Sequence, residues 1–230
     1  MKELVRGLCP PILWRALQRL NAGLPRPGAG TVAPGSQDLD VYWDPRIVEA
    51  LEQWGEGTAW NEIKLLLVNA RGKVLDIACG TGKVMSLLAD FKQIEVHGCD
   101  ISDMLIGKAI DRGIARERLI VTDATAMRYG DGIFDYAYSI GSLEHFTEDG
   151  IGKFLHECAR VVAGPSFHMV PVSRSGRDEG WISPFQSYHN NSVGWWEERC
   201  KTVFPRVVVL DSAWSDTISV GKWLVCGKAT

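Results

Sequence analysis

Val-Leu-Asp-Ile-Ala-Cys-Gly-Thr-Gly-Lys-Val, residues 74–84, decides how this chain is read. The run begins as an apolar strand (Val74, Leu75, Ile77), passes through Asp76 and ends in a Gly-Thr-Gly turn. Val84, Leu87, Leu88 and Phe91 then recur at i, i+3, i+4 and i+7, the spacing of one face of an amphipathic helix. Glycine reaches positive φ without steric cost, so Gly80 and Gly82 let a ligand touch backbone where a helix begins. The stretch reads as a ligand-binding strand–turn–helix near the start of an α/β sheet. The question is which ligand.

Outward from this motif the pattern alternates. Strands are expected at 73–77, 95–99, 119–122, 134–139, 166–172, 205–210 and 219–226, and helices at 83–91, 102–112, 148–162 and 192–202. The third of these helices carries Ile151, Phe154, Leu155, Cys158, Val161 and Val162 on one side. Upstream, Asp44-Pro45 is an N-cap and N1 pair for a helix with Ile47, Leu51 and Trp54 on one face, closed by Gly55. Thr58 is expected to cap a second helix through about Val68. Such alternation predicts an α/β fold with a mostly parallel sheet covered by helices on both faces. The last two strands have no helical pattern between them and are expected to pair antiparallel.

Two nucleotide motifs fail. A dinucleotide fingerprint needs a third glycine, where Gly80-Thr81-Gly82-Lys83-Val84 is followed by Met85. A P-loop needs Ser or Thr after its lysine, and Lys83 is followed by Val84. The strand ends are more telling. The second strand ends on Asp100, where a carboxylate about 20 residues beyond the glycines can accept from a ribose diol. Ile101 beside it offers an apolar face to a base. The third ends on Asp123-Ala124, where a carboxylate can accept from an exocyclic amine or, alternatively, cap the next turn. An acidic rim of Asp76, Asp100 and Asp123 suits a cationic nucleoside better than a pyrophosphate.

At 230 residues the chain holds one domain and some excess. A net charge of -3 argues against a general nucleic-acid binder, and six scattered cysteines without metal-ligand spacing suit free thiols in a reducing cytoplasm. No apolar run approaches about 18 residues, so no transmembrane segment is expected. Residues 1–37 are set apart from the domain at 38–230. They comprise a short basic amphipathic helix (Ile12, Leu13, Trp14, Leu17 and Leu20, with Arg15 and Arg19) and a Gly/Pro-rich linker or lid from 22. The helix reads as packed on its own domain or, through residues 9–20, as lying on a membrane surface or partner.

The motif set 74–82, Asp100, Asp123-Ala124 and Phe-Asp-Tyr-Ala-Tyr-Ser-Ile-Gly-Ser-Leu-Glu-His-Phe (134–146) resembles the class I S-adenosylmethionine-dependent methyltransferases over roughly residues 40–226. The resemblance implies a Rossmann-like seven-stranded sheet whose last strand inserts antiparallel. It implies that the turn from Asp76 through Ala78 and Gly80 to Gly82 cradles the methionine end of S-adenosyl-L-methionine. Asp100 would hold the ribose hydroxyls, with Ile101 against the base. Asp123 and Ala124 would face the adenine amine, and Ser139 and Ile140 would line the far side.

The acceptor belongs at the end of the fourth strand. DNA-base and protein-glutamine methyltransferases resemble one another there in an Asn/Asp-Pro-Pro-aromatic motif. This chain has Ser139-Ile140-Gly141-Ser142 instead, and Ser-Leu-Glu-His-Phe (142–146) is similar to small-molecule enzymes. His145 is the first candidate general base, with Glu144 beside it; the plainer role for His145 is a hydrogen bond within the loop. The acidic cluster with an Asp-Asn pair that marks metal-dependent catechol-type enzymes is absent, so no metal is expected. The long segment after the fifth strand offers Arg174, His189 and Asn190 as contacts to a polar, sugar-like or anionic acceptor. Residues 9–17 are similar to leader segments of bacterial methyltransferases linked to surface-glycan assembly. Together these imply O-methylation of a small polar molecule in the cytoplasm. The alternatives are a protein or RNA methyltransferase, or a non-catalytic cofactor-binding scaffold.

Overall fold

The computed structural model describes residues 37–183 and 186–228. Two short helices, α1 (Pro45–Leu51) and α2 (Ala59–Leu66), precede the alternating part. That part runs β1 (Gly72–Ile77), α3 (Lys83–Leu87), β2 (Ile94–Asp100), α4 (Asp103–Asp111), β3 (Leu119–Val121), β4 (Tyr136–Ile140), α5 (Glu148–Val161) and β5 (Ser166–Ser173). A small hairpin, β6 (Trp181–Ile182) and β7 (Tyr188–His189), leads to α6 (Val193–Lys201), β8 (Arg206–Ser215) and β9 (Ser219–Gly227).

The main sheet has seven strands in the order β3-β2-β1-β4-β5-β9-β8. β1 pairs in parallel with both β2 and β4, so strand order reverses between β1 and β4. In an open α/β sheet the crevice beyond the carboxyl ends at such a switch point takes the ligand. β9 runs antiparallel to both β5 and β8, as its position after a strand without an intervening helix requires. Every residue of β5 is buried, because helices cover both faces of a central strand. One apolar layer joins α5 and α6 to the sheet through Phe154, Leu155, Cys158, Trp196 and Cys200. The other seats Trp60, Ile63, Met85 and Ile106 from α2, α3 and α4.

Three local expectations need correction. Thr58 precedes α2, but its side chain caps nothing; the hydroxyl donates back to the Gly55 carbonyl at 3.3 Å. The first helix after the glycine turn stops at Leu87 rather than 91, because the chain turns through Leu88–Phe91 to enter β2. The β6–β7 hairpin was not expected, since two-residue strands carry no periodicity. The helix and linker expected before residue 37 lie outside the described residues, as does Phe185. Among the described residues no helix is long and apolar enough to cross a membrane.

Candidate active site

The ends of β1, β2, β3 and β4 open onto one cavity of about 250 Å³. Its wall is built first by the turn after β1. Ala78 and Gly80 adopt positive φ of 59° and 54°, which lifts the backbone toward the cavity they line. Gly82, with φ 68°, is the N-cap of α3 and faces elsewhere: a Cβ there would stand 2.9 Å from the Ala109 Cβ of α4. Gly82 is thus a helix-packing glycine and does not line the cavity.

Asp100 closes the turn. Its Oδ2 accepts the Gly80 N–H at 2.9 Å and its Oδ1 accepts the Ser102 N–H at 2.9 Å. The side chain is buried at the cavity edge, and burial pushes its carboxyl up to about 6 against the pull of those backbone donors. Asp76 is buried beneath it and accepts the Tyr138 hydroxyl at 2.8 Å; loss of solvent drives its carboxyl well above the ordinary range. Ile101, Asp123 and Ala124 continue the wall. Asp123 also does what a turn-capping aspartate does, since its Oδ1 accepts both the Thr125 N–H and hydroxyl at 2.8 Å.

The opposite wall comes from β4 and the turn after it. Ile140 lines the cavity, whereas Ser139 does not. Successive strand residues face opposite sides, so Ser139 points into the α5 layer, 2.9 Å from His168 Nδ1. A 3-10 turn, Leu143–His145, then sets Glu144 and His145 on the cavity. The His145 Nδ1 lies 2.8 Å from the Ser187 carbonyl, which can only accept. Nδ1 therefore carries the proton and Nε2 holds a lone pair. Burial lowers the imidazole to about 4, so that lone pair persists at neutral pH. Glu144 Oε1 is 3.8 Å from this Nε2, its Oε2 has no hydrogen-bond partner among the described residues, and burial pushes its carboxyl up to about 8. Burial thus favours the neutral acid of Glu144 near pH 7.

The cavity is roofed by Tyr42, Leu51 and Trp54, and closed on its far side by Gln186, Tyr188, Trp214 and Asp216. Trp54 packs on Trp214 with ring centroids 4.9 Å apart, and Gln186 donates to the Tyr42 hydroxyl at 2.7 Å. None of these residues was singled out from sequence as site-forming. Gln186 and Tyr188 do fall in the long segment flagged for substrate contact, and Trp54 lies on the expected apolar face of α1.

Arg174, His189 and Asn190 are not brought to this cavity. Arg174 is on the surface and donates to the Asp216 carbonyl at 2.7 Å, tying the end of β5 to the β8–β9 turn. Asn190 Oδ1 accepts from the Ser219 hydroxyl at 3.1 Å. His189 is buried on the other face of β7 from Tyr188, between Trp181 and Trp195 at centroid distances of 4.6 and 4.8 Å.

Residues 74–164 match the family model of a methyltransferase domain. Over these residues the chain is similar to methyltransferase domains, and its sheet has the class I order. Methyltransferase GfsG of Streptomyces halstedii is 32% identical over 127 residues, covering 53% of this chain and 45% of that protein. O-methyltransferase cnsE of Penicillium expansum is 33% identical over 116 residues, covering 46% and 41%. The chain thus spans less than half the length of these curated relatives. In fold it is similar to the putative methyltransferase solved in complex with the Haloferax volcanii Trm112 activator, with a TM-score of 0.65 at 16% identity, over 85% of this chain and 99% of that one. It is also similar to Haemonchus contortus phosphoethanolamine N-methyltransferase 2 solved with S-adenosyl-L-methionine (TM-score 0.58, 17% identity, 74% of this chain and 53% of that one). The methyl donor of this domain family is S-adenosylmethionine.

Proposed function

We propose that the protein transfers the methyl group of S-adenosylmethionine to a hydroxyl oxygen of a small uncharged molecule, with His145 as general base. The observation that carries this reading is the lone pair of His145 Nε2, held on the cavity wall across from the Gly80 turn by the bond from Nδ1 to Ser187.

The residues present fit the donor. Asp100 spends one lone pair of each oxygen on backbone N–H groups, and a carboxylate has about four such sites, so two remain for a ribose diol. Ile101, Leu105 and Ala124 make an apolar slot beside Asp123, suited to an adenine ring and its amine. When bound, S-adenosylmethionine supplies an electrophilic methyl group on a sulfonium, and its displacement is helped mainly by positioning. The chain's task is to hold the acceptor, exclude water and receive one proton. His145 Nε2 takes the hydroxyl proton as the new bond forms, a contribution at the low end of about 10²–10⁴ in rate because burial lowers the imidazole's basicity. Glu144 in its protonated form can donate a hydrogen bond to the acceptor.

Charge narrows the acceptor. Asp76, Asp100, Asp123, Glu144 and Asp216 line the cavity, while Lys83 is the one lysine or arginine among its described lining residues. Burial raises Asp76, Glu144 and Asp216 toward their neutral forms, and the lining's one cation is itself paired with Glu52, so a phosphate or carboxylate would find little to offset its lost hydration and an uncharged acceptor fits best. Trp54, Trp214 and Tyr188 favour a flat or ring-shaped molecule. The test is transfer of label from methyl-labelled donor to hydroxylated compounds offered in pairs, each neutral alcohol or phenol beside its phosphate monoester. Label should enter only the neutral member. His145→Phe should lower kcat by about 10²-fold or more while leaving donor-product affinity unchanged. Equal labelling of both members, or an undiminished His145→Phe rate, would overturn the reading.

A further inference from the structure

The roof over the cavity and the donor turn beneath it meet at one side chain that the proposed chemistry does not use. Glu52 is the C-cap of α1, between Leu51 and Trp54, which roof the cavity. Its Oε1 accepts the Thr81 hydroxyl at 2.5 Å and also pairs with the Arg112 guanidinium at the end of α4. Its Oε2 lies 3.8 Å from Lys83 Nζ. Arg112 Nε in turn donates to the Thr81 carbonyl at 3.0 Å, closing a ring of contacts around Thr81. Thr81 sits between Gly80 and Gly82 in the cavity wall, and Leu51 lies directly above Gly80.

We propose that Glu52 is a positioning residue of the donor site, locking the roof helix to the Thr81 turn so that the donor is held between them. The inference rests on the donor reading of the cavity. Three chain segments far apart in sequence converge on this carboxylate: α1, the glycine turn and α4. Without it, α1 keeps its apolar contacts through Ile47 but loses the polar tie that fixes its height above Gly80. The Lys83 ammonium, also 5.6 Å above the Trp60 ring, is held by the same carboxylate at the rim of an otherwise acidic cavity. The donor would then bind and leave through a roof that opens more often. A lock of this kind acts on the residence time of the donor and its product, and leaves the reacting groups on the opposite wall untouched.

The experiment measures S-adenosylhomocysteine binding by calorimetry and its dissociation by stopped flow, for wild type, Glu52→Gln, Glu52→Ala, Thr81→Val and the Glu52→Ala/Thr81→Val pair. Glu52→Gln keeps the shape and one acceptor, so it reports the lost charge even if Glu52→Ala folds poorly. Dissociation should speed by roughly tenfold in Glu52→Gln, the ratio expected when a charge-assisted contact becomes a neutral one. KM for the donor should rise while kcat at saturation stays near wild type. Because Thr81 acts through Glu52, the double variant should be no worse than Glu52→Ala alone. Wild-type binding with unchanged dissociation in both Glu52 variants, or additive losses in the pair, would overturn this role. Absence of binding to the wild type would instead overturn the donor reading itself.

Discussion

Replacing Asp100 by Asn probes the donor site with a nearly isosteric change. In the wild type both carboxylate oxygens accept a backbone N–H at 2.9 Å, from Gly80 and from Ser102. An amide has one acceptor oxygen, so one of those N–H groups would face an NH₂ instead. A buried donor left without a partner costs about 1–3 kcal/mol. The two hydrogen bonds to a ribose diol would also lose their charge assistance, roughly 1 kcal/mol each. Donor-product affinity should fall by about 2–4 kcal/mol, a factor of roughly 30 to 1,000. Stability of the unliganded protein should move less. Burial raises the Asp100 carboxyl to about 6, so its ionised form is a burden on the fold at pH 7.5, and Asn removes that burden while it disrupts the turn. pH supplies a second signature. Wild-type affinity should decline as pH falls through about 6 and Asp100 takes up a proton, whereas the Asn variant should show no such decline. Calorimetric titration with S-adenosylhomocysteine at pH 7.5 and 5, beside thermal unfolding, reads both. An affinity within about threefold of wild type in a folded Asn variant would refute the placement of the ribose.

Gly82→Ala should destabilise by about 2–4 kcal/mol in urea unfolding, because positive φ and the 2.9 Å approach to Ala109 act together. Gly80→Ala, which would meet only Leu51 at 3.5 Å, should cost about 1–2 kcal/mol. Tyr138→Phe removes the hydroxyl from buried Asp76 and should cost about 1–3 kcal/mol, read by the same unfolding curve. Stability of the unliganded protein should rise as pH falls from about 8.5 to about 6.5 and level off below. Lowering pH through 8 protonates folded Glu144 before its unfolded counterpart, which stabilises the fold. Below 6.5 the unfolded histidines take up protons that buried His145, His168 and His189, all lowered to about 4, refuse, and this offsets what the raised carboxyls of Asp76, Asp100 and Glu144 continue to gain. A melting temperature rising steadily from pH 5 to 8.5 would contradict this.

What could be read from sequence was what depends on local period and on parallel-sheet topology. Asp76, Asp100 and Asp123 follow three strands whose carboxyl ends share one edge, so finding the strands was enough to gather them at the cavity. His145 and Glu144 were reachable for the same reason, at the end of β4. Ser139 lies on the opposite face from the one the family resemblance implies, as period-two alternation with Tyr138 and Ile140 requires. Gly82 reads as a ligand glycine in sequence because its contact with Ala109, on a helix beyond the next strand, has no local signature. The length of the 174–192 excursion was visible, but its folding into the β6–β7 hairpin was not. That hairpin turns Tyr188 inward and buries His189 against tryptophans. The roof of Tyr42, Leu51 and Trp54, and its tie through Glu52 to Thr81, depend on contacts between segments distant in sequence.

The most direct test of the account is a crystal structure with S-adenosylhomocysteine bound. The ribose hydroxyls should lie within hydrogen-bonding distance of Asp100, the adenine beside Asp123, and the sulfur beside the Gly80 turn, facing His145 across the cavity. Density for the adenosyl group elsewhere, or an Asp100 carboxylate still contacting only Gly80 and Ser102, would contradict it.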